Sequence, residues 1–130
     1  MSQQHIARVA LLVDDYDEAL RFYVDKLGFH LIEDTPLDAD ARWVIVAPQG
    51  TRQTQLVLAK ADTPAQAARV GDQSGGRVLL FLYTDDFEAD YARYRAAGVE
   101  FLETPRQEPY GIVAVFKDLY GNPWDLLQPT

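Results

Sequence analysis

Few residues of this chain could do chemistry, and the most unusual of them is Asp125. It lies in Trp124–Leu127 (WDLL), a run with the aromatic and apolar content of a buried strand. A carboxylate in such a run must be paired, hydrogen-bonded, bound to a metal or turned toward water. Immediately upstream, Asp118, Gly121, Asn122 and Pro123 are residue types of a tight turn. Tyr110, in the EPYG segment, has a hydroxyl that could donate to a substrate oxygen or stay wet at a rim. The two histidines, His5 and His30, read as surface or edge residues, too few for a histidine-rich metal centre. The absence of cysteine excludes disulfides, thiolate zinc sites and thiol nucleophiles. No GxSxG motif is present, and GDQSGG at 71–76 lacks the Lys-Ser/Thr of a phosphate loop.

Length and charge narrow the field further. The chain has 130 residues, 48% of them apolar, which suits one globular domain with a real core. Its net charge of −8 repels phosphate backbones, so nucleic acid is not an expected partner. No apolar run is long enough to span a bilayer, and MSQQHIAR lacks a signal-peptide pattern. A cytoplasmic protein without membrane association is expected.

The elements that must position these residues follow from apolar spacing. Arg8–Val13 is a first strand, and Asp14 and Asp15 offer N-cap oxygens to a helix. Tyr16, Ala19, Leu20, Tyr23, Val24 and Leu27 form its apolar stripe, and Gly28 stops it. Strands are expected at Phe29–Glu33, Trp43–Ala47 and Gln55–Ala59, with a loop over Thr35–Arg42 and a turn over Pro48–Thr54. Thr63 and Pro64 can start a short helix reaching about Val70. The pattern then recurs. Val78–Tyr83 is a strand, Asp85 and Asp86 cap a helix bearing Phe87, Tyr91, Tyr94 and Ala97, and Gly98 ends it. Strands at Val99–Leu102, Ile112–Phe116 and Trp124–Leu127 follow, with a loop over Thr104–Gly111.

Strand, DD cap, helix, glycine and three strands thus occur twice. Asp14-Asp15 falls on Asp85-Asp86 at an offset of 71, while Gly28 falls on Gly98 and Gln55 on Asp125 at an offset of 70. One residue of slack is expected inside the helix. The chain reads as a single domain over 1–130, with module one at about 5–60, a linker at about 61–76 and module two at about 77–128.

The DD-capped helix with FY and LGF, then AAGVEF, EPYG and the DLYGNPWDLL ending, set in two βαβββ halves, together resemble the vicinal oxygen chelate superfamily. That group includes glyoxalase I, bleomycin-resistance proteins and extradiol dioxygenases. The resemblance covers about residues 5–128. It implies an α+β fold in which two βαβββ modules form a curved half-barrel sheet around a cavity, with helices outside. It also implies a homodimer.

Metal-dependent members hold one divalent ion with four side chains, and the resemblance carries those positions onto Arg8, Gln55, Leu79 and Asp125. This set does not make a metal site. Arg8 is a permanent cation and Leu79 has no donor atom, which leaves two ligands. No cofactor is therefore expected. Arg8 could instead form an internal ion pair with Asp125 or bind a ligand oxygen. Strand alternation adds Phe81 and Tyr83 to the wall that contains Leu79. The expected ligand-binding set is Arg8, Gln55, Leu79, Phe81, Tyr83, Tyr110 and Asp125, with Arg8, Asp125 and Tyr110 as the catalytic candidates. Two functions remain open. One is metal-independent small-molecule binding of the resistance or sequestration type. The other is a glyoxalase-like lyase or isomerase, or a dioxygenase, with metal held in a non-standard way.

Overall fold

The computed structural model describes residues 1–50 and 53–130. The expected turn over Pro48–Thr54 therefore falls partly outside the described residues. The chain divides into two compact units, Met1–Val70 and Gly71–Thr130.

In the first unit, β1 (Arg8–Val13) leads into helix α1 (Tyr16–Leu20). Asp15 caps α1 by accepting from the Glu18 backbone N–H at 2.8 Å. The helix continues as a π-helix over Arg21–Lys26 rather than as the regular helix expected. Strands β2 (His30–Pro36), β3 (Arg42–Ala47) and β4 (Gln55–Lys60) follow, then a one-turn helix α2 (Pro64–Ala67) capped by Thr63. The sheet order is β1-β4-β3-β2, with β1 parallel to β4 and the other pairs antiparallel. One face carries Leu11, Val13, Val44, Val46, Leu56 and Leu58, all buried. The α1 and π segments contribute buried Tyr16, Ala19, Phe22 and Tyr23 to the same core. The loop expected over Thr35–Arg42 is shorter, because Pro36 and Arg42 already pair across β2 and β3. Arg42 fastens that end: it reaches Asp34 at 2.7 Å and Asp17 at 2.9 Å, and lies 5.1 Å over the Tyr16 ring.

The second unit repeats the order: β5 (Leu80–Tyr83), α3 (Phe87–Ala96), β6 (Arg106–Glu108), β7 (Gly111–Lys117) and β8 (Pro123–Pro129), in sheet order β5-β8-β7-β6. Asp86 caps α3. Gly28 and Gly98 end the two helical segments at φ 74° and 90°, a region that favours glycine. Phe116, Trp124 and Leu126 face α3, with Phe116 5.7 Å from the Tyr94 ring and stacked on Trp124 at 5.8 Å. Burial pushes the Tyr94 hydroxyl up to about 12. The turn before β8 is locked by Asp118. Its carboxylate accepts from the backbone N–H groups of Tyr120, Gly121 and Asn122 and from the Asn122 side chain.

The sixth strand differs from expectation. At Val99–Leu102 there is only an isolated bridge between Phe101 and Phe116, and the strand forms at Arg106–Glu108, inside the segment read as a loop. The ladder breaks because the Glu103 carboxylate, at 3.1 Å, takes the Val115 N–H that a backbone carbonyl would otherwise take.

The expectation of a curved half-barrel around a cavity is overturned. There are two separate four-stranded sheets, and neither is closed nor strongly curled. Four strands are too few for closure, and each sheet ends in two edge strands, β1 and β2 in one and β5 and β6 in the other. Among the described residues no helix is long and apolar enough to cross a membrane.

Candidate functional site

The candidate residues divide between the two units, and each unit brings its own share onto one sheet face. In the first, Arg8 and Gln55 are direct neighbours in the parallel β1–β4 register. Alternation puts Ala10, Leu12, Val57 and Ile45 on their face, opposite the buried Leu11 and Leu58. The Arg8 side chain reaches along this face to place its guanidinium 6.0 Å from the Trp43 ring centroid. That contact gives Arg8 a cation–π partner from β3 and holds the charge at the surface of the sheet.

In the second unit, Phe81 of β5 is the direct neighbour of Asp125 in β8, and Val115 of β7 flanks it on the other side. Tyr83 lies two residues along from Phe81 on the same face. The two rings are 62% and 64% exposed, so this edge presents aromatic surface to its surroundings. Leu79 lies just outside β5, tied to the strand end by its N–H donating to the Pro123 carbonyl at 2.8 Å. It continues the phase of Phe81 and Tyr83, as alternation requires.

Asp125 is half-buried, and its electrostatic neighbours come from a segment the sequence reading passed over as loop. Burial raises its pKa above the ordinary carboxylate value; the Arg106 charge opposes this, and the Glu103 charge adds to it. Arg106 is itself committed. Its Nε donates to both Glu103 oxygens at 3.1 and 3.0 Å, and its guanidinium lies 3.6 Å from Glu108. Hydrogen bonds to Glu103 and then to Tyr110 hold its proton more tightly than usual. Tyr110, half-exposed on the turn between β6 and β7, lies near Arg106, as Asp125 does. The signal for this group was present in ETPRQEPYG at 103–111, where Glu103, Arg106 and Glu108 alternate in sign at spacings that a short strand and its approach bring together.

Arg8 and Gln55 offer one cation and one amide, and Leu79 and Asp125 offer one carboxylate. Among the described residues, no group of three or more His, Asp or Glu side chains could hold a metal ion. The histidines of the sequence, His5 and His30, are exposed.

Residues 5–126 match the glyoxalase/bleomycin resistance protein/dioxygenase superfamily. The chain belongs to that superfamily. A protein of Shewanella frigidimarina (strain NCIMB 400), described as uncharacterized, is 54% identical over 127 residues, covering 97% of this chain and 94% of that one. TnmS3, an antibiotic binding protein from Streptomyces sp. CB03234, has a similar structure with TM-score 0.83 and 36% identity over 100% of this chain and 99% of its own. UcmS2 is similar at TM-score 0.84 and 31% identity, covering 97% of this chain and 98% of its own.

Proposed function

We propose that this protein binds a small organic molecule without a metal and sequesters it, in the manner of an antibiotic-binding or resistance protein. The observation that carries the reading is the residue set at the four positions where metal-dependent relatives need donors. Here they are Arg8, Gln55, Leu79 and Asp125, a set suited to contacting an organic ligand and unsuited to holding an ion. The likeness to TnmS3 supports the same reading. In the second unit exposed Phe81 and Tyr83 lie beside Asp125, and in the first Arg8 lies over Trp43, so each unit sets aromatic surface beside one charge. Such a mix suits a ligand with flat apolar parts and a few polar groups.

The test is fluorescence titration of chelator-treated protein with bleomycin and with an anthracycline, following the emission of Trp43 and Trp124 together. Saturable binding of one of them, unchanged by added divalent metal and weakened about tenfold by Phe81→Ala, is expected. Binding that requires one retained metal ion per chain would overturn the metal-free reading.

The second reading is acid–base chemistry by Tyr110 and Asp125, with Arg106 nearby as a fixed positive charge that does not itself exchange a proton. Turnover of an oxygenated substrate that disappears in both Tyr110→Phe and Asp125→Asn would establish it in place of sequestration.

We further propose a homodimer. Leu31 and Ile32 on edge strand β2, and Leu37 just after it, are 46%, 47% and 60% exposed, apolar surface that a second copy could cover. Light scattering coupled to size exclusion reads the mass directly, and a monomer would overturn the proposal.

A further inference from the structure

On the helix side of the second unit, between α3 and residues 98–104, lies a groove of about 570 Å³. That is within the size range of small-molecule sites. Tyr91 and Phe101 form its floor, with ring centroids 4.6 Å apart. Neither ring is free to drift. Tyr91 stacks on Phe87 at 5.6 Å, and Phe101 packs on the fully buried Phe116 at 5.7 Å. Leu102, 51% exposed, supplies an aliphatic wall.

One charge is left uncompensated in this groove. The Arg95 guanidinium lies 5.6 Å from the Tyr91 ring centroid, and among the described residues it has no ion-pair partner. The nearby charges are already used. Arg93 pairs with Asp90 at 2.8 Å, and Lys117 with Glu100 at 3.3 Å. The lining carboxylate, Glu103, is occupied by Arg106 and the Val115 N–H. On a chain of net charge −8, the groove therefore combines aromatic surface with a lone positive charge. A guanidinium in this setting prefers a planar carboxylate, which it can meet with two parallel N–H donors while a ring rests on the aromatic floor.

We propose that this groove is a second binding site, for a small aromatic carboxylate, with the ring on Tyr91 and Phe101 and the carboxylate on Arg95. The site stands independently of the sheet-face residues Arg8, Gln55, Phe81 and Asp125, and of the sequestration reading built on them.

The experiment is an amide-resolved NMR titration of the full chain with 2-naphthoate, alongside the neutral 2-naphthamide. Saturable shifts at Tyr91, Arg95 and residues 98–104 are expected for the acid, with binding at least about tenfold tighter than for the amide. Arg95→Gln should remove that preference, and Leu102→Glu, at an exposed position, should weaken the acid without altering the fold. Phe81→Ala should leave the titration unchanged. Equal binding of acid and amide, shifts confined to the sheet face around Phe81 and Asp125, or no shifts at all would each overturn the proposal.

Discussion

The two modules begin alike and part company inside their first helix. Each starts from a capping aspartate and stops at a glycine with positive φ, but Asp15 to Gly28 holds one residue more than Asp86 to Gly98. Both ends are anchored, so the extra residue cannot pass into a loop, and the helix widens instead. Leu27 donates to the Phe22 carbonyl five residues back, and Arg21–Lys26 is a π-helix where α3 stays regular. The change of repeat offset from 71 to 70 is thus a local widening of one helix. A second difference follows the helices. β2 is a seven-residue, wholly exposed edge strand, whereas its counterpart shrinks to the three residues of β6 because Glu103 interrupts the ladder. The same interruption turns Glu103 and Arg106 toward Asp125. Module one is irregular in its helix and in a register shift of β2 between Leu31 and Glu33, whereas the irregularity of module two sits beside its candidate site.

The largest expected effect probes where each module keeps its aromatic core. Module two places Phe116 and Trp124 on the sheet, while the corresponding face of module one is aliphatic, with Val44, Val46, Leu56 and Leu58. Phe116→Ala should cost about 3–5 kcal/mol in denaturant unfolding, and Val46→Ala clearly less. Next is the turn before the last strand of each module. Asp118→Ala removes the carboxylate that accepts from Tyr120, Asn122 and the Asn122 side chain, while the Gly121 N–H keeps the Asp118 carbonyl at 3.1 Å, and a loss of about 3 kcal/mol is expected. The segment before β4, PQGTRQT, has no aspartate, so Gln49→Ala should change little.

Smaller, but more direct, is a deletion test of the helix comparison. Removing exposed Asp25 turns the bond from Leu27 to Phe22 into an ordinary helical one. A cost of about 1 kcal/mol or less is expected, with the fold kept. Removing Arg95 from α3 has no such slack to absorb it and should lower the melting temperature more.

The smallest effect is the pH response of Asp125. Burial holds its folded-state pKa above the ordinary carboxylate value. Below that value the carboxyl is protonated in both states. Above it the unfolded chain gives up the proton first, so stability falls as pH rises and levels off past the folded-state pKa. Asp125→Asn should therefore be more stable than wild type at neutral pH, with the difference vanishing in acid. A variant less stable than wild type at neutral pH would show that ionised Asp125 is stabilised in the fold.

Most of the scaffold was legible without coordinates. β1, the caps Asp15 and Asp86, the stops Gly28 and Gly98, and the core strands all follow from local periodicity and capping chemistry, which depend on neighbours in sequence. The two-module repeat was legible for the same reason, whereas the positions Arg8, Gln55, Leu79 and Asp125 came from the family resemblance and not from local pattern. The structure alone decided what no local pattern encodes. It exchanged a half-barrel for two open sheets, moved the sixth strand to Arg106–Glu108, and put Trp43 under Arg8. It also set Glu103 and Arg106 around Asp125. Each of these depends on which groups meet across strands. A carboxylate twelve residues away can take a backbone donor from the ladder, and only the folded chain brings it within reach.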